Sequence, residues 1–248
     1  MMEISGNTVL VTGGGTGIGL SIAVGLLKAG SRVIICGRNL DALVAAQEAN
    51  PGLEIVYGDV AAQSSREELA EAVLSRFSDV NVLVNNAGIQ RRVDFLTDDA
   101  PWQVRAEEIA INFQAPVHLA ALFLPHFLKQ KRAAIVNVTS GLAFIPSRQV
   151  AVYSATKAAM HSFTLSLRSQ LEGSSVSVVE VIPPAVNTDL GGTGLHTSGV
   201  PVGEFTDTVL SRFAAGDTEI GYGTSEIFRT ASKEEIHRIF ETMNRADP

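Results

Sequence analysis

Apolar residues along this chain cluster in short unbroken runs. The runs are TVLVT (8–12), RVIIC (32–36), LEIVY (53–57), NVLVN (81–85), AAIVNVT (133–139), VSVVEVI (176–182) and a weaker TEIGYG (218–223). They are near-continuous in Val, Ile and Leu, where a strand with one wet face would alternate. Strands of a parallel sheet covered on both faces read this way. Longer segments with helical character lie between them, at 17–29, 39–49, 64–77, 101–130 and 148–172. The alternation predicts an α/β chain: a doubly wound, mostly parallel seven-stranded sheet with helices on both faces.

One region breaks the rhythm. Residues 189–223 hold eight of the 22 glycines and few apolar runs, with a short helix expected near 204–215. Long loops in compact domains often serve as lids or binding loops. A Gly-rich substrate loop at about 189–216, before the last strand, is the expectation.

Composition narrows the partners. The 248 residues fit a single catalytic domain. The net charge of −7 argues against nucleic acid or an anionic membrane surface, which call for a basic face. Cys36 is the one cysteine, so no internal disulfide can form. In RVIICG it is expected to pack as a small hydrophobe. The opening MMEISGNTVLVTG lacks the pattern of a signal peptide, and no apolar run is long enough to insert into a membrane. A cytoplasmic protein is the expectation.

The first apolar run leads into VTGGGTGIGLSIAVGLL. The usual dinucleotide spacing, G-x-G-x-x-G, is not met in any register. The spacing is Gly13-x-x-x-Gly17-x-Gly19. The physics is shared: a tight turn, backbone close to a pyrophosphate, and a helix N-terminus aimed at the anion. Thr16 offers a hydroxyl to a phosphate. A glycine-rich turn without a ligand is the bland alternative. The second run ends IICGRN. An enzyme that prefers NAD usually carries Asp or Glu there for the ribose hydroxyls. Here the position holds Gly37 followed by Arg38, and a guanidinium pairs with a 2′-phosphate where an acid would repel it. NADP(H) is therefore favoured over NAD(H), against the alternative that Arg38 is a solvated charge.

Further motifs follow in order: NNAG at 85–88, Asn112 in AINFQAP, Ser140 in NVTSG, and Tyr153 with Lys157 in YSATK. With TGGGTGIG at 12–19 they resemble the short-chain dehydrogenase/reductase family over nearly the whole chain. IICGRN, NNAGIQ, IPPAVNTDLGGTGLHTSGVP and TEIGYGTSE are similar to its subgroup of DltE-like oxidoreductases. The resemblance implies a Rossmann-type fold and nicotinamide-dependent interconversion of an alcohol and a carbonyl. It implies cofactor contacts from Gly13, Thr16, Gly17, Ile18 and Gly19. It adds Asp59 and Val60 at the adenine, and Asn86, Ala87 and Gly88 along the ribose. Pro183, Val186 and Thr188 would meet the nicotinamide half. The family commonly has Pro-Gly where this chain has Pro183-Pro184, so a backbone N–H is missing there. The family also pairs helices across subunits, so a homodimer or homotetramer is expected.

Reducing a carbonyl requires a proton on its oxygen as charge builds, and the protein supplies the acid. A phenol titrates near pH 10 in water. Lys157 sits one helical turn from Tyr153, and a nearby cation favours phenolate. Lowering the phenol by roughly two to three units requires about 3–4 kcal/mol of differential stabilisation. Tyr153 is thus the candidate general acid/base, and Lys157 its tuning charge and a grip on the ribose. Ser140, at the carboxyl end of the fifth run, can hold the substrate oxygen. Asn112, by resemblance, holds a water that relays protons to Lys157.

Arg91 and Arg92 read as a solvated pair near the crevice mouth, and His161 as an ordinary helix-face residue. Leu190, Leu195, His196, Val200 and Phe205 are candidate pocket lining. The five histidines show no metal-ligand spacing, so no metal is expected. The competing reading is a nucleotide-binding regulatory or scaffold protein with little turnover. An epimerase would need more room for a second substrate domain.

Overall fold

The computed structural model describes residues 3–245. Its seven strands are β1 (Thr8–Thr12), β2 (Arg32–Gly37), β3 (Leu53–Tyr57), β4 (Val82–Asn85), β5 (Ala133–Val138), β6 (Val176–Ile182) and β7 (Glu219–Gly221). All pair in parallel, in the order β3-β2-β1-β4-β5-β6-β7. The predicted sheet is present, and no strand in it runs antiparallel. Consecutive residues of each strand feed opposite faces, so both faces must be apolar. Val9 and Val11 join Ile22, Leu26, Phe205 and Val209 in one core, while Leu10 joins Val73, Leu119, Phe123 and Phe127 in the other. Cys36 is fully buried in the second, as a small hydrophobe.

The helices are α1 (Gly17–Lys28), α2 (Leu40–Ala49), α3 (Gln63–Arg76), α4 (Trp102–Ile109), α5 (Ala115–Phe127), α6 (Ala151–Gln170), α7 (Val202–Ala215), α8 (Thr224–Thr230) and α9 (Lys233–Met243). The predicted helix over 101–130 is broken. A π-helical turn, Ala110–Gln114, separates α4 from α5. Pro116 lacks the N–H that an unbroken α-ladder would give to Asn112, and the Ala115 N–H instead reaches Ala110 O. Such wide turns recur at functional sites, and Asn112 stands in the middle of this one. Helices α8 and α9 lie beyond the segments that periodicity singled out. A capping box between Ser232 and Glu235 starts α9.

The sheet order reverses between β1 and β4. In open α/β sheets the crevice outside the strand ends at such a point takes the ligand. The loop over 188–199 borders it and is tied at its base. Val186 and Val200 form a parallel bridge, with Asn187 N–H on Val200 O and Val200 N–H on Ala185 O, both at 2.9 Å. A side chain at Gly199 would sit 2.8 Å from Ala185 O and Asn187 N, so only glycine lets the two strands of this neck approach.

Candidate active site

A cavity of about 1430 Å³ opens at the switch point, larger than the few hundred to about 1000 Å³ of a usual small-ligand site. One end is the turn after β1. Gly13 has φ +63°, and a Cβ there would lie 2.9 Å from Ala87 Cα. That close approach sets the β1 turn against the end of β4. Thr12, the first residue of TGGGTGIG, stitches the same seam. Its Oγ1 accepts the N–H groups of Asn86 and Ala87 at 3.0 Å, and its carbonyl accepts Asn86 Nδ2 at 2.9 Å. The first α-helical bond of α1 runs from Leu20 N–H to Thr16 O, and the Thr16 side chain makes no capping bond. The helix N-terminus therefore faces the cavity wall at Gly17, Ile18 and Gly19 with donors an anion can use. This cradle fits a dinucleotide pyrophosphate.

At the other end α6 presents Tyr153 and Lys157, 6% and 4% exposed, to the same cavity. Lys157 Nζ lies 5.5 Å from the Tyr153 ring centroid and donates to Val138 O at 2.8 Å. Ser140 lies beside the Tyr153 hydroxyl and favours its ionised form, and its Oγ accepts the Leu142 N–H at 3.1 Å. Asn112 does not line the cavity but braces its wall. Its Oδ1 accepts Ile89 N–H at 2.9 Å and its Nδ2 donates to Ile89 O at 2.8 Å and to Thr156 Oγ1 at 3.2 Å. The neighbouring Gly88 backbone borders both Asn112 Oδ1 and Lys157 Nζ.

The proton affinities follow from burial. Burial pushes the Tyr153 phenol up to about 12, against Ser140, which pulls it down. Burial also lowers the Lys157 ammonium to about 8. Desolvation is thus the largest influence on the phenol in the protein alone, and it holds its proton at neutral pH. A further charge contributes. Glu108 on α4 is fully buried; its Oε1 accepts the Arg91 N–H at 3.3 Å, and its Oε2 has no hydrogen-bond partner. Burial raises this carboxyl, and its charge adds to the rise at Tyr153. Sequence reasoning missed Glu108, although it sits one helical turn before Asn112.

The remaining candidates divide. Pro183, Val186 and Thr188 line the cavity, as do Asn86, Ala87 and Gly88. Leu190 and His196 line it too. Phe205 and Val200 instead pack with the apolar core, and Leu195 is half exposed. Asp59 and Val60 lie outside the cavity wall. Asp59 Oδ1 accepts the Ala61 N–H at 3.0 Å, and Val60 packs in the core. Arg38 is half exposed and donates to Glu107 Oε1 at 2.7 Å. Arg91, expected to be solvated, also bonds Glu107, and the two arginines hold that carboxyl below its usual range. Among the described residues no three His, Cys, Asp or Glu side chains gather as a metal site, and no helix is long and apolar enough to cross a membrane.

Comparison with known proteins agrees with this geometry. The family model for short chain dehydrogenase matches residues 7–197. An uncharacterized oxidoreductase DltE of Bacillus subtilis (strain 168) is 47% identical over 98% of this chain and 98% of its own. A short chain dehydrogenase from Burkholderia cenocepacia J2315, solved in complex with NADP, superposes with a TM-score of 0.84. It is 27% identical, over 96% of this chain and 99% of its own. A 3-ketoacyl-(acyl-carrier-protein) reductase from Brucella melitensis, complexed with NADH, has a TM-score of 0.79. It is 25% identical, over 88% of this chain and 97% of its own. The chain belongs to the short-chain dehydrogenase/reductase family of NAD(P)-dependent oxidoreductases.

Proposed function

We propose that this protein is an NADP(H)-dependent oxidoreductase that interconverts a carbonyl and a secondary alcohol, with Tyr153 as the general acid. The observation that carries the reading is the convergence of Ser140, Tyr153 and Lys157 on one wall of a cavity whose far wall is the anion cradle of α1. Bound nicotinamide supplies the hydride chemistry. The chain does the rest. Ser140 Oγ holds the substrate oxygen beside the phenol. Tyr153, protonated because it is buried, gives its proton as charge builds on that oxygen. The phenolate left behind is stabilised by the Lys157 ammonium and the Ser140 hydroxyl. Asn112, anchored on Ile89, keeps the 88–89 backbone beside Lys157.

Arg38 supports the preference for NADP(H), because its guanidinium can exchange Glu107 for a 2′-phosphate. Asp59 and Val60 act on the adenine side through the backbone of their turn. The loop over 188–199, tied at its neck, covers the substrate as part of a single catalytic domain. Exposed Trp102 on α4 and Leu165 on α6 support a homodimer or homotetramer, and a cytoplasmic location fits the composition. The test is NADPH fluorescence on binding, followed by NADPH consumption with a panel of ketones and aldehydes. Binding with turnover on at least one carbonyl is the expected result. Binding without turnover on any of them would favour a nucleotide-binding regulator instead.

A further inference from the structure

His161 sits two turns after Tyr153 on α6 and touches neither the cavity wall nor the candidate reacting groups. Its partner is unusual. Glu180 on β6 is fully buried. Thr139 Oγ1 donates to Glu180 Oε1 at 2.7 Å, and His161 Nδ1 lies 3.0 Å from Oε1 and 2.9 Å from Oε2. An ionised carboxylate only accepts, so Nδ1 carries the proton. Phe144 packs on the imidazole, with ring centroids 4.6 Å apart.

Thr139 is the residue before Ser140, and its own N–H extends the β5–β6 ladder to Val181 O at 2.8 Å. The helix α6 is thus fastened to the ends of β5 and β6 at two successive turns. Lys157 Nζ holds Val138 O, and His161 holds Glu180, which holds Thr139. Ser140 lies on the strand side of this seam and Tyr153 on the helix side. The influence of Ser140 on the Tyr153 hydroxyl acts across it.

We propose that His161 is a positioning residue: protonated and paired with Glu180, it clamps α6 to the strand end that carries Ser140, and losing that proton loosens the Ser140–Tyr153 contact. The inference rests on reading Ser140 and Tyr153 as the reacting pair. The charges facing the imidazole are Glu180 on β6, Glu219 on β7 and Arg168 on α6, with Lys157 one turn back on its own helix. Glu219 is already bound by Arg168 at 2.9 Å and by Arg229 at 3.2 Å. Glu180 has Thr139 and His161. A neutral imidazole can still donate one N–H, but it leaves a buried carboxylate without its counter-charge, an expensive arrangement. Hydrogen bonding to Glu180 raises the histidine above its ordinary range, against its own burial. The clamp is therefore fully in force below that range and is lost as pH rises through the raised value.

The test needs no substrate. The full chain, isotope-labelled at tyrosine Cζ, is titrated by NMR from neutral to alkaline pH, with Tyr153→Phe assigning the Tyr153 resonance. The resonance should shift with the same midpoint as the His161 ring signals. In His161→Gln that step should vanish, leaving only the step due to Lys157. Glu180→Gln, which keeps the shape and removes the charge, should bring the His161 midpoint down and shrink the step. With a carbonyl from the panel that is turned over, His161→Gln should lower kcat by about ten- to a hundredfold, as misplacement of a reacting group does. The Kd for NADPH should stay within about twofold if the clamp acts on geometry alone. A Tyr153 resonance indifferent to the His161 titration would overturn the proposal, as would full kcat in both variants. If the coupling appears but no carbonyl is reduced, the clamp stands and the redox reading falls.

Discussion

At the Tyr153 end of the cleft the functional groups are buried and their polar atoms are held by backbone. Lys157 is fixed on Val138 O, Asn112 on both polar atoms of Ile89, and Ser140 on the Leu142 N–H. Arg38, outside the cavity wall, is half exposed and pairs with Glu107. The first arrangement sets proton affinities: burial is the largest cause of the rise of Tyr153 to about 12 and the cause of the fall of Lys157 to about 8. In the second, Arg38 and Arg91 hold the Glu107 carboxyl below its usual range while staying in contact with water. The groups at the seam between α6 and the strand ends are packed and dry, and the Arg38–Glu107 salt bridge is wet.

The difference can be probed by breaking each end. The largest effect should come from Tyr153→Phe, which removes the acid and keeps the ring. We expect turnover to fall by about 10²–10⁴-fold, the usual contribution of a positioned acid, with NADPH affinity retained in a fluorescence titration. Next is Arg38→Gln. Losing a charge-assisted bond of about 1.5–3 kcal/mol should weaken NADPH by roughly ten- to a hundredfold and leave NADH unchanged, as read from paired titrations.

A pH profile of carbonyl reduction sharpens the buried end. The Lys157 ammonium is present below about 8 and lost above it. The phenolate formed on reduction then lacks its counter-charge. The rate should hold through neutral pH and fall on the alkaline side of about 8, and Lys157→Met should be slow throughout. The smallest effect belongs to Glu107→Gln, which frees Arg38 from an exposed pair of about 0.2–1 kcal/mol. NADPH should bind a few-fold tighter, with no change in the alkaline limb of the profile.

Sheet and cradle were legible in the chain because both are local. Unbroken Val and Ile runs of strand length between helical segments read as covered strands, and Gly13 and Gly19 mark a turn pressed against other backbone. The Tyr153–Lys157 spacing was legible too, as helical periodicity. Their proton affinities were not, because desolvation depends on what packs around them. Glu108 and the His161–Glu180 pair were invisible for a related reason. A carboxylate on a strand and an imidazole on a helix, 19 residues apart, become partners only when α6 docks on β6. The break at Ala110–Gln114 did leave a signal, in Pro116, as did α9 in Ser232 and Glu235. Pro184, in place of the family's usual glycine, lines the cavity beside Pro183.

The central claim is that Tyr153 donates the proton in an NADPH-dependent reduction. A single-turnover mix of NADPH-loaded protein with a reducible carbonyl tests it most directly, run on the natural chain and on Tyr153→Phe side by side. Both should bind NADPH equally, with rapid NADPH consumption by the natural chain and almost none by the variant. Consumption by Tyr153→Phe at the natural rate would contradict the claim.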